Sequence, residues 1–152
     1  MRRLIVLIIL VFPLTLFACE APCNLNSMEV FLPEAQRSPA ANIYIEKLVY
    51  QTESGDVTQK IAIDELMRLK DALNMISIAS FKHSKTTFEV LAQVQLTPSA
   101  TMVFKLQTTG GDNEEAMLLH FHNEAEKLNS FKAKEDKVFV FVHYKISAVA
   151  GE

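Results

Sequence analysis

Thr87-Phe88-Glu89-Val90-Leu91-Ala92-Gln93-Val94-Gln95-Leu96 is the stretch that decides the fold. Phe88, Val90, Ala92, Val94 and Leu96 alternate with Thr87, Glu89, Gln93 and Gln95. Side chains of a strand point alternately to opposite faces, so this period of two reads as a half-buried β-strand. Downstream, Pro98-Ser99 makes a turn, and Met102, Phe104 and Leu106 supply the next strand face. Thr108-Thr109-Gly110-Gly111-Asp112-Asn113 is a second turn, rich in the residues that tolerate left-handed backbone. Met117, Leu119 and Phe121 read as a further strand face. Residues 123 to 137 are highly charged, with Leu128 and Phe131 as anchors, and periodicity leaves helix and strand both open. Val138 to Val142 is apolar on both faces, which predicts a central or helix-covered strand.

Upstream, Ser77 to Lys85 reads as an irregular link. Before it, Leu66, Leu69, Leu73 and Ile76 recur at spacings of three and four, the pattern of an amphipathic helix, with Arg68, Lys70 and Asp71 mostly off the stripe. Asp64 is placed to cap that helix, because its carboxylate can accept from the free N–H groups of the first turn. Ile43, Ile45 and Val49 alternate with Tyr44, Glu46, Leu48 and Tyr50; after the turn residues Glu53-Ser54-Gly55-Asp56 come Val57, Ile61 and Ile63. These two runs predict a β-hairpin. The expected fold is α+β: an N-terminal hairpin, one amphipathic helix, then a mostly antiparallel β-meander, packed as a single domain over residues 42–152. One helix over one sheet face buries both. An all-β sandwich with an incidental helix is the alternative.

Residues 20–41 carry Pro22, Pro33 and Pro39 among Asn, Ser, Gln and Ala, and read as a tether. A chain of that length spans ~25 Å on average. Met28 to Leu32 is a more apolar island that could instead pack as an edge strand. Ahead of it, Arg2 and Arg3 precede the apolar run Leu4 to Phe12, and Pro13 to Ala18 lead to Cys19. A basic start, an apolar core and small residues at its end are the layout of a secretory signal peptide, here residues 1–18. The run is shorter than the ~20 residues a membrane span needs, and Pro13 interrupts it.

Leu16-Phe17-Ala18-Cys19 resembles the lipobox of bacterial lipoproteins, with Phe17 bulkier than the residue usual at that place. The competing cut, after Ala21, would put Pro22 next to the scissile bond. The resemblance covers only this leader. It implies that Cys19 becomes the first mature residue and carries two or three acyl chains, enough for lasting attachment where a single chain binds marginally. Glu20 at the next position leans toward the outer membrane, facing the periplasm, in a Gram-negative cell. The implied location is the bacterial cell envelope.

Without residues 1–18 the chain has 13 basic and 18 acidic residues, a net charge of about −5. It shows no basic stripe, which argues against nucleic acid as a partner. Cys19 and Cys23 are its only cysteines, so the folded part is held by packing without disulfides; Cys23 has no assigned role.

Three histidines are the candidates for metal chemistry. On a strand, His120 and His122 would share a face with Glu124, and His143 would approach them if the last two strands paired. The apolar face of that strand would be Met117, Leu119 and Phe121, so the preferred reading puts His120 and His122 in solvent and makes His143 a half-buried structural residue. His83, beside Lys82 and Lys85, reads as surface. Thr109-Gly110-Gly111-Asp112-Asn113 lacks the lysine and following helix of a phosphate-binding loop and reads as a turn between strands. Glu114-Glu115 and Glu135-Asp136 read as solvated pairs. No residue is assigned a catalytic role and no cofactor is implied. The sequence leads to a non-catalytic envelope lipoprotein that binds a protein partner, in an assembly, inhibitor or immunity-type role. A ligand-binding lipoprotein with a concave sheet is the alternative, and a metal-dependent hydrolase using the histidine row a more distant one.

Overall fold

The computed structural model describes residues 26–111 and 114–149. In chain order the elements are β1 (Asn26–Glu29), α1 (Glu34–Arg37), β2 (Ile43–Thr52), α2 (Val57–Lys60), α3 (Ile63–Phe81), β3 (Phe88–Leu96), β4 (Val103–Thr109), α4 (Glu115–Glu126) and β5 (Val138–Ile146). The strands form one antiparallel sheet in the order β1-β2-β5-β3-β4. The α+β expectation holds at that level: one antiparallel sheet accompanied by helices.

The decisive stretch is β3, whose residues alternate between buried and half-buried along its whole length. Its buried set packs with Ile45, Leu48 and Tyr50 of β2, Phe104 of β4 and Val140, Val142 and Tyr144 of β5 in one core. The doubly apolar strand β5 is central, paired with β2 on one side and β3 on the other. Leu66, Leu69 and Leu73 of α3 and Phe121 of α4 close this core from above. Phe121 is fully buried among Phe81, Phe104 and Tyr144, with ring centroids 5.0, 5.7 and 6.1 Å away. The Tyr144 hydroxyl donates to Asn74 Oδ1 at 2.9 Å, and burial pushes that phenol well above its usual range. All of these contacts lie on one side of the sheet.

Several local expectations are corrected. The stretch after Gly55 does not return as a strand. Asp56 accepts from the Thr58 backbone N–H at 2.9 Å and starts the short α2, which buries Val57; Ile61 is buried just beyond it. Val57 and Ile61 are four apart, a helical spacing that two residues cannot distinguish from alternation. The antiparallel edge partner of β2 is instead β1, so part of the stretch expected as a tether belongs to the fold, and Met28 of the apolar island pairs there with Tyr50. Asp64 lies inside the first turn of α3 and Ala62 is the capping position. That helix runs on to Phe81 through the expected link, because Ser77 and Ser80 are small enough to sit against the core. Lys70, expected off the stripe, is buried and paired with Asp71 at 2.8 Å.

The meander also fails after β4. Gly110 and Gly111 take the left-handed backbone the turn needs, at φ 80° and 78°, but the chain then enters a helix. Met117, Leu119 and Phe121 lie on α4, where Leu119 is 57% exposed and the buried residues are Phe121 and Ala125. The segment 115–126 has no β-branched residue, and its Glu, Ala, Met and Leu content favours helix over strand. Residues 127–137 then lead back to β5, which inserts between β2 and β3.

Candidate functional site

Among the described residues, the core-forming helices pack on one side of the sheet and leave the other side open. Its middle rows can be read from the pairing register. Glu29, Val49, Phe141, Gln93 and Lys105 form one row from β1 to β4; Lys47, His143, Leu91 and Gln107 form the next. Of these rows, Glu29, Val49, Phe141, Lys47, His143, Leu91 and Gln107 line a concavity of about 600 Å³. Val49, Leu91 and Phe141 give it an apolar floor, each half-buried by its neighbours alone. Charged and amide side chains surround that floor, with Lys47 Nζ 3.0 Å from Glu29 Oε2.

One local irregularity builds the charged end of this face. The register of β2 against β5 slips between Ile45 and Lys47: Ile45 opposes Tyr144, Lys47 opposes His143, and Glu46 is the extra residue. A β-bulge of this kind re-aims side chains and is common beside functional sites. Glu46 and Lys47 consequently both leave the core side, and the buried set resumes at Leu48. Glu46 Oε2 reaches His143 Nδ1 at 3.3 Å, and Glu89 Oε2 on β3 reaches His143 Nε2 at 3.2 Å. Lys145 Nζ lies 3.8 Å from the other oxygen of Glu46. The imidazole is thus held between two carboxylates across three strands. A neutral imidazole has one N–H and one lone pair, so one carboxylate would face a lone pair unless a proton or another cation lies between them.

The predicted site residues separate. His120 and His122 sit on α4, not on a strand, and the row with Glu124 does not form as a strand face. His122 Nδ1 is 3.7 Å from Glu126 Oε2 and its ring packs 5.5 Å from Phe104. His143 is on β5 with its side chain on the open face, opposite the helical layer, so the three histidines do not converge. His143 is half-buried, as expected, though its partners are Glu46 and Glu89. Glu114, expected in solvent, is buried and accepts at Oε1 from Ser84 Oγ, the Lys85 N–H and Thr86 Oγ1 at 3.1, 3.3 and 3.0 Å. A helix does follow the glycine turn, but the lysine of a phosphate-binding loop is still missing. Cys19, Cys23 and the leader lie outside the described residues.

Glu46 and Glu89 escaped the sequence reading. The signal for Glu46 is a change of phase: the apolar positions are odd at Ile43 and Ile45, then even at Leu48 and Tyr50. Read as a strict alternation, that stretch puts Leu48 and Tyr50 on the wrong face. Glu89 carried no signal of its own, since its neighbourhood with His143 comes from strand order.

Among the described residues, no helix is long and apolar enough to cross a membrane. Comparison with family models, curated proteins and solved structures returned no match to this chain.

Proposed function

We propose that the chain is a lipid-anchored protein of a bacterial cell envelope whose α+β domain binds a protein partner on the open face of its sheet. The supporting observation is the face left uncovered by the described residues, with Val49, Leu91, Phe139 and Phe141 half-buried and the core-forming helices packed on the other side. Contiguous exposed apolar surface rimmed by polar groups marks interaction sites. Completing the burial of Phe139 and Phe141 would contribute about 1 kcal/mol each, half the value for a fully buried side chain. The rim charges, Glu29, Lys47, Glu89 and Lys145, would set the register of the partner and its rate of encounter. Non-catalytic assembly, inhibitor and immunity-type roles all use such a face.

A small ligand is the second reading, favoured by the size of the concavity, which falls within the ~300–1,000 Å³ of small-molecule sites. The protein reading is preferred because the charged and amide residues form the lining together with the apolar ones, whereas small-molecule sites are mostly apolar. The anchor reading also fits the geometry of the domain. Seven peptide links join Cys19 to Asn26, a reach of at most ~25 Å, so a lipid on Cys19 would hold the β1 end of the sheet near the headgroups.

Two experiments test this. A photo-crosslinking residue at Leu91 in intact cells should give a discrete protein adduct, and one at Met75 on the helical side should not. An adduct from Met75 alone, or none from Leu91, would overturn the assignment of the face. Mass spectrometry should find a lipidated Cys19 at the mature N-terminus, with release from the membrane on Cys19→Ala. A soluble product beginning at Pro22 would defeat the anchor.

A further inference from the structure

We infer that Glu46, Glu89 and His143 form a binding site for a divalent metal ion of the zinc class. One donor atom from each of the three residues can be chosen so that all lie within 4.8 Å of one another. The distances match the chemistry. Zinc binds imidazole nitrogen at ~2.0–2.1 Å and carboxylate oxygen at ~2.0–2.2 Å, so two such ligands about 100–110° apart are ~3.2–3.4 Å from each other. His143 Nε2 and Glu89 Oε2 are 3.2 Å apart. Glu46 Oε2, 3.3 Å from Nδ1 on the other flank of the ring, is the second carboxylate of the set.

The donor set of one nitrogen and two carboxylate oxygens suits zinc and its neighbours better than calcium or magnesium, which take oxygen ligands. A divalent ion bound there would take up an imidazole lone pair and offset the charge of both carboxylates. The scaffold is rigid: three paired strands carry the residues, and the bulge at Glu46 supplies the third donor. Lys145 is the competing charge, through its 3.8 Å approach to Glu46, and Lys47 is taken up by Glu29. Glu89 and His143 also line the concavity, so the remaining coordination positions face the open side of the sheet. The site does not depend on the protein-partner reading of that face.

The test is calorimetric titration of the full chain with zinc chloride, in a Cys23→Ser background so that its thiol does not compete. Binding of one ion per chain is expected. His143→Ala, Glu46→Gln and Glu89→Gln should each weaken it ~tenfold or more, the scale seen on loss of groups that hold a metal site together. His122→Ala, which removes the His122–Glu126 pair on α4, should leave the affinity unchanged. The His143 ring resonances should shift on saturation, and Glu46→Gln, a near-isosteric change on an exposed bulge, keeps the result independent of folding. No saturable binding below about 1 mM, affinity unchanged from the parent in all three variants, or loss in His122→Ala alone would overturn the inference.

Discussion

Replacing Glu114 by alanine should destabilise the domain far more than its place in an acidic turn suggests. Its carboxylate receives three hydrogen bonds from the link between α3 and β3, and so ties that link to the start of α4. The three are not equal. Ser84 Oγ also lies 2.9 Å from the Thr86 carbonyl, so its proton keeps an acceptor when Glu114 is lost. The Lys85 N–H and the Thr86 hydroxyl lose theirs. Hydrogen bonds to a charged acceptor contribute ~1.5–3 kcal/mol each, less the relief of no longer burying a carboxylate. The net expectation for Glu114→Ala is about 2–3 kcal/mol, or roughly 10 °C in melting temperature. Glu114→Gln keeps one carbonyl acceptor and should cost about 1 kcal/mol. Urea unfolding followed by circular dichroism gives both values, provided the slope m is unchanged. Hydrogen exchange at the Lys85 amide should accelerate beyond the global effect. A loss below about 0.5 kcal/mol for Glu114→Ala, with m unchanged, would refute the pinning role.

Phe121→Ala opens a cavity among Phe81, Phe104 and Tyr144 and should cost about 3–5 kcal/mol by the same unfolding assay, where a solvent-facing strand residue would cost under 1. Gly111→Ala combines a φ of 78° with a new Cβ 3.0 Å from Phe88 Cγ, whereas Gly55→Ala meets nothing closer than 3.5 Å; Gly111→Ala should therefore be the more destabilising by about 1 kcal/mol or more, and equal costs would contradict the contact. Asp136 is held below the usual carboxylate range by hydrogen bonds from Lys60 and Ser54, at 2.8 and 2.9 Å. Its folded pKa is depressed, so its contribution is present above the unfolded value, near 3.8, and is lost as pH falls through the folded one. Asp136→Asn, which tolerates the same φ of 52°, should be less stable than the parent at neutral pH and converge with it in acid; a constant difference across pH would contradict the ion pair.

Sequence alone determined the local facts that one stretch of chain can settle. The alternation of β3, the doubly apolar β5 and the leucine stripe of α3 each follow from burial on one face or two, and each is present as read. It also supplied the expectation at Cys19, which depends on a short leader and on nothing in the fold. Tertiary structure decided what local pattern leaves ambiguous. Met117, Leu119 and Phe121 satisfy a strand period, yet only Phe121 of the three is buried, and only because α4 packs onto Phe81, Phe104 and Tyr144. The insertion of β5 between β2 and β3 is likewise invisible in the chain, because pairing over such separations is set by the whole core. That insertion brings His143 between Glu46 and Glu89, which lie 97 and 54 positions before it in the chain.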